Sequence, residues 1–160
     1  MHTLQTEPLT PQSFAPFGDV LDATGPFKLI NQGQCHRHHN RATLDFTTGQ
    51  PGISLFHAEA CTLPYKLTLI ERHPKGSQAF IPMTQYPFLI ITALSPTAKP
   101  RAFLTNGAQG INIHRNIWHG VLTPLTAPGL FAVIDRIADD PNLEEHLYPT
   151  PWVITARTRE

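Results

Sequence analysis

Apolar and polar positions along this chain fall into short runs, cut by glycine or proline at intervals of roughly 8–12 residues. The runs DVLDA (19–23), FKLIN (27–31), ATLDF (42–46), ISLFHA (53–58), YKLTLIERH (65–73) and QAFIP (78–82) are predicted as strands. FLIITAL (88–94), RAFLTN (101–106), GINIH (110–114), GLFAVIDR (129–136) and PWVIT (151–155) follow in the same style. Two helical turns are expected. One starts with Thr10 as cap and Pro11 at its first position, and Pro16 and Gly18 stop it. The other is LEEH (143–146). Evenly spaced short strands mark an all-β sandwich or barrel. With no repeat, linker or low-complexity segment, residues 1–160 are read as one β domain.

The run YKLTLIERH carries the most information. Strict alternation puts Tyr65, Leu67, Leu69, Glu71 and His73 on one face, with Lys66, Thr68, Ile70 and Arg72 on the other. If the first face points inward, it passes from apolar packing to Glu71 and His73 at a polar mouth.

Composition narrows the partners. Lys plus Arg and Asp plus Glu number 12 each, so the net charge is zero and neither nucleic acid nor a membrane surface is indicated. Sixteen prolines, scattered, disfavour long helices. Cys35 and Cys61 fit no metal spacing and read as reduced thiols, and no basic-apolar-small leader opens the chain. A soluble, cytoplasmic protein is expected.

Candidate chemistry gathers in two stretches. His73 and Gln78 flank the turn PKGS, while His114 and His119 frame Arg115 in NGAQGINIHRNIWHG (106–120), where Gly107 and Gly110 permit tight turns. His73, His114 and His119 could converge as metal ligands, or serve as general base and acid. Arg72, Arg115 and Arg136 suit a carboxylate, with ion pairs to Glu71 or Asp135 as the structural alternative. QCHRHHN (34–40) holds three histidines, but without an acidic or cysteine partner at a ligand spacing it reads as a polar rim. No phosphate loop, CxxC pair or GxSxG elbow is present.

The blocks ERHPKGSQAFIPM (71–83), FLTNGAQGINIHRNIWHG (103–120) and AVIDR (132–136) closely resemble the ureidoglycolate lyase family. LTPQSFAPFGDVL, NQGQCHRHH and PNLEEH extend the resemblance over nearly the whole chain. One departure is Ile137-Ala138, where the family often carries two glycines after the Asp-Arg pair. The resemblance implies a cupin-like β-barrel, a homodimer, and a role in allantoin and purine breakdown. It also implies cleavage of (S)-ureidoglycolate to glyoxylate and urea with a divalent metal, nickel being the candidate. Two segments stand where cupin motifs would lie, HPKGSQAFIP and GINIHRNIWH, although HxH followed by Glu is absent.

Such a reaction needs a base, an acid and a carboxylate clamp. The expected roles are Arg115 or Arg72 on the carboxylate, with Arg136 a further substrate-binding candidate, and Asn106 or Gln78 on the ureido group. His73, His114 and His119 are expected as base and acid, or as metal ligands. The rival readings are a ureidoglycolate amidohydrolase releasing ammonia and carbon dioxide, a metal cupin of another class, and a non-catalytic barrel that binds a small 2-oxo or 2-hydroxy acid.

Overall fold

The computed structural model describes residues 1–158. Among them the strands are β1 His2–Pro8, β2 Gly18–Leu21, β3 Lys28–Ile30, β4 Cys35–Arg37, β5 Gln50–Ala58, β6 Tyr65–Arg72 and β7 Gln78–Pro82. They continue as β8 Phe88–Ala93, β9 Arg101–Leu104, β10 Gly110–Ile113, β11 Trp118–His119, β12 Thr123–Pro124, β13 Gly129–Ile137 and β14 Glu144–Thr155. A single turn of helix, α1 Pro11–Phe14, starts as the sequence predicts, with Thr10 and Ser13 forming a reciprocal capping box.

Strands β6, β14, β1, β9, β8 and β11 hydrogen-bond in that order, and β11 pairs back to β6, closing a six-strand barrel. β12 adds to its β8 side. A second sheet runs β2-β10-β7-β13-β5, and β3-β4 form a separate hairpin. This is the all-β, cupin-like architecture that the sequence predicts.

Two apolar cores follow from this closure. Inside the barrel pack Leu67, Ile70, Leu89, Ile91, Ala102 and Ile154, with Trp118 at one end. Between the barrel wall and the five-stranded sheet lie Phe80, Phe88, Phe103, Ile111, Phe131 and Val133, joined by Phe14 and Phe17. β8 separates the two cores and is buried along its whole length, odd-numbered residues facing one core and even-numbered the other. Both faces of this strand are apolar except at Thr92, as a doubly buried strand requires. Phe103, edge-on to Phe14 at 5.3 Å, is fully buried, and replacing it with Ala should cost about 3–5 kcal/mol.

Four expectations need correction. LEEH is not a helical turn but the start of β14, where Glu144 and Glu145 pair across from Arg72 and Glu71. Cross-strand pairing there overrides the helix preference of its glutamates. ATLDF forms no strand and contributes only an isolated bridge, Phe46 to Gly76. The N-terminal β1, unmarked by any apolar run, lies parallel between β14 and β9 and completes the barrel. In β6 the alternation also breaks: Leu67 and Ile70 share the barrel core although they are three positions apart, which strict alternation would put on opposite faces. Opposite this break β14 is irregular between Leu147 and Trp152.

The departure at Ile137-Ala138 is compensated on the neighbouring strand. A side chain at Gly52 would meet Ile137 at 2.2 Å, and one at Gly49 would meet the Ile137 carbonyl at 2.7 Å. Gly52 on β5 therefore makes room for the Ile137 side chain on β13, and Gly49 for the backbone that follows it. Among the described residues no helix is long and apolar enough to cross a membrane.

Candidate active site

Two connections cross from sheet to sheet at the same end of the molecule. Residues 73–77 carry the chain from β6 in the barrel to β7 in the second sheet, and residues 114–117 carry it from β10 to β11. They are stitched together. Asn116 N–H donates to the His73 carbonyl at 3.0 Å, and Arg115 Nη1 donates to the Pro74 carbonyl at 3.3 Å. Asn116 takes a left-handed φ of 72°, which asparagine tolerates better than most residues and which turns the chain back onto the barrel.

Glu71, His119 and Thr92 then lie in one lateral row across β6, β11 and β8. The residues beside them, Ile70 and Trp118, belong to the barrel core, so this row faces the other way, toward the second sheet. His73 follows Glu71 by two. One ligand-capable atom from each of Glu71, His73 and His119 lies within 4.8 Å of the others, the only such group among the described residues.

The hydrogen bonds fix the orientation of both rings and the tautomer each takes when neutral. His73 Nδ1 stands 2.7 Å from the Asn142 carbonyl, and His119 Nδ1 stands 2.9 Å from the Gly120 carbonyl. A carbonyl only accepts, so each neutral ring carries its proton on Nδ1. Both Nε2 atoms are then left as bare lone pairs, buried and without a hydrogen-bond partner, that of His73 standing 3.9 Å from Glu71 Oε1. Burial pushes the His119 pKa down to about 4, with the proximity of His73 adding to the effect and the Gly120 bond opposing it. Burial likewise raises Glu71 above the ordinary carboxylate range, against the pull of His73 and with Glu145 reinforcing it. Two bare imidazole nitrogens beside a carboxylate form a donor set suited to Ni, Zn, Fe or Cu. Carbonyls behind the rings are the usual orienting partners of metal-bound histidine.

Across the gap, Gln78 and Asp135 are lateral neighbours on β7 and β13, on the same inward face as Phe80 and Val133. Gln78 Nε2 donates to Asp135 Oδ2 at 3.1 Å, which leaves Gln78 Oε1 buried and unbonded. Below this end the apolar interior is nearly filled, with a void of about 10 Å³ between Phe80, Ile90, Ile111 and their neighbours. The larger surface concavities, of about 340, 540 and 370 Å³, are lined by other residues. Concavity alone would point to those, but none of them contains the converging donors, and chemistry decides for the Glu71-His73-His119 end.

The remaining candidates go elsewhere. His114 follows the end of β10, half-exposed and 3.1 Å from Asp19. Arg72 lies on the barrel side of β6, paired with Glu144 and stacked 4.8 Å over Trp118. Arg136 is spent on Thr48 and Asp140, its side chain only 2% exposed. Asn106 caps a local turn at the far end of β10, accepting from Ala108 N–H at 2.9 Å. Arg115 does border the site through Pro74, half-exposed and bonded to Asp45 at 2.9 Å. Of the three histidines expected as ligands or acid–base groups, the fold brings together His73 and His119. Glu71 takes the third place, a residue the alternation had put beside His73 without a role. The histidines of QCHRHHN sit on the β3-β4 hairpin, where His36 stacks on Phe27 at 4.0 Å.

The family model described as Ureidoglycolate lyase matches residues 1–155. The chain is 54% identical over 159 residues to the ureidoglycolate lyase of Rhodobacter capsulatus, covering 96% of this chain and 99% of that one. It is 46% identical over 151 residues to that of Mesorhizobium japonicum, covering 91% and 93%. With that of Pseudomonas aeruginosa it shares 44% over 157 residues, 92% of each.

Proposed function

This chain belongs to the ureidoglycolate lyase family, and from that premise we propose that it splits (S)-ureidoglycolate into glyoxylate and urea in allantoin breakdown. It is a lyase acting on a small molecule. The observation that carries the reading is the convergence of two bare Nε2 lone pairs and the Glu71 carboxylate within 4.8 Å. Glu71, His73 and His119 would hold the divalent metal, nickel on the family resemblance. When bound, the ion polarises the oxygen of a substrate hydroxyl as a Lewis acid.

The chain's own residues do the rest. Asn142 and Gly120 carbonyls hold the two rings in the lone-pair-out tautomer. Gln78 Oε1, fixed by the bond of its amide to Asp135, accepts a ureido N–H. Arg115, at the rim and only half-covered, exchanges Asp45 for the substrate carboxylate. Asp135 is the carboxylate on the sheet wall, and we assign it the proton. It takes the hydroxyl proton while the oxygen electron pair becomes the second C=O bond of glyoxylate. The C–N bond breaks with its electrons on nitrogen, which receives that proton and leaves as urea.

The family resemblance also implies a homodimer. The outward face of the second sheet carries Ile53 and Leu55, 75% and 65% exposed, in lateral rows with Ile134, Ala132 and Ile81. A second copy is the occupant we propose for it, and Leu55→Asp should convert a dimer to a monomer in sedimentation. The reaction itself is tested by assaying urea, ammonia and glyoxylate together from racemic ureidoglycolate, above its spontaneous decay. Equal urea and glyoxylate, lost on chelation and restored by nickel, is the expected result. Ammonia without urea would instead make the protein an amidohydrolase.

A further inference from the structure

We infer that Thr92 is a substrate-binding residue, its hydroxyl donating a hydrogen bond to the carboxylate of the small acid held beside His119. Thr92 is fully buried on the central strand β8, and its Oγ1 has no hydrogen-bond partner. It faces His119 directly across β11 and β8. Gly120 N–H donates to the Ile91 carbonyl at 2.9 Å, which makes the His119-Thr92 position a non-hydrogen-bonded pair, where side chains approach most closely. On its other side stands Arg101, whose guanidinium is taken up by Glu7 and the Ser13 carbonyl and gives Thr92 nothing.

An unbonded buried hydroxyl is a cost to folding. Valine has the same shape and suits a doubly buried strand better, as the rest of this strand, Phe-Leu-Ile-Ile before it and Ala after, shows. A threonine here works against stability unless something outside the free chain completes its bonding. Four unbonded buried atoms belong to this end of the gap: Thr92 Oγ1, Gln78 Oε1 and the Nε2 atoms of His73 and His119. The two imidazoles are accounted for by a metal. Gln78 Oε1 only accepts and so takes the ureido end from the sheet wall, whereas Thr92 can donate and sits on the barrel wall. The acid end of the substrate therefore belongs against Thr92. This rests on the lyase reading given above.

The test compares Thr92→Val and Thr92→Ser with the wild type. Thr92→Val should raise KM for ureidoglycolate about tenfold, the loss of one net hydrogen bond to a charged group, with kcat within about twofold. Metal content should stay at the wild-type level, the melting temperature should hold or rise, and Thr92→Ser should restore KM. An unchanged KM overturns the inference, and so does a lower melting temperature for Thr92→Val, which would give the hydroxyl a structural bond. If the wild type fails to split ureidoglycolate, the lyase reading falls by itself. Glyoxylate binding measured by calorimetry then decides Thr92: about tenfold weaker binding by Thr92→Val supports it, and equal binding removes it.

Discussion

Two groups of histidines in this molecule make opposite use of the same side chain. His36, His38 and His39 crowd one hairpin within four residues, yet the His36 ring stacks on Phe27 and the His38 ring meets Arg41. His73 and His119 stand 46 positions apart in the chain, and their ring centres come within 5.3 Å beside Glu71. The dense cluster brings no three ligand atoms together among the described residues. In the sparse pair each ring is tethered by its Nδ1 proton to a backbone carbonyl, and its buried Nε2 keeps a free lone pair. What makes a histidine a ligand is the fixing of its tautomer and the removal of water from its other nitrogen.

The contrast breaks most sharply on substitution. His73→Ala or His119→Ala should take bound nickel from stoichiometric to none, read by elemental analysis, and turnover should disappear with it. Retained metal in either variant would transfer the site elsewhere.

Proton linkage gives the next largest effect. With its pKa near 4 in the fold and near 6.5 unfolded, His119 binds its proton more weakly when folded. Its contribution is complete above pH 6.5 and lost as pH falls toward 4. Metal-free protein should therefore lose roughly 3 kcal/mol over that window in urea titrations, from this group alone. Glu71, raised by burial, acts in the other direction, weakening the fold as pH climbs past its unfolded value. His119→Gln should flatten the acid limb, and a slope like that of the wild type would refute the assignment.

A smaller effect tests how the His73 carbonyl partner is held. The 139–143 segment is pinned by Asp140, which bonds Lys75 and Arg136 and whose pKa those two cations lower to about 2. Asn142 of the same segment supplies the carbonyl to His73 and accepts from Lys75 N–H at 2.7 Å. Asp140→Asn should loosen nickel binding by about tenfold, the lower end for a residue that orients a ligand. Nickel competition against a chelating dye measures it. Smallest of all, His36→Ala with His38→Ala and His39→Ala should leave metal content and turnover unchanged and shift stability by under about 0.5 kcal/mol each.

Sequence alone determined the fold class, because alternation and the spacing of glycine and proline are local properties of a chain that must bury one strand face at a time. It also singled out the two connecting segments that carry the candidate site, HPKGSQ and HRNIWH, and the helix cap at Thr10, whose signal spans four residues. Closure of the barrel by β1 was not legible, since HTLQTEP has no apolar run and is a strand only because β14 and β9 offer it partners on both sides. Nor was the partition of the candidates. His114 and His119 stand five apart on one short stretch, but the chain changes sheets between them, which leaves one ring half-exposed beside Asp19 and sends the other into the gap. Glu71 needed the break of alternation in β6 to turn toward the second sheet, and Thr92 needed the lateral pairing of β8 with β11. Side-chain facing is set by strand parity, but which face meets which neighbour depends on contacts between residues far apart in the chain. Those contacts exist only once both sheets have formed.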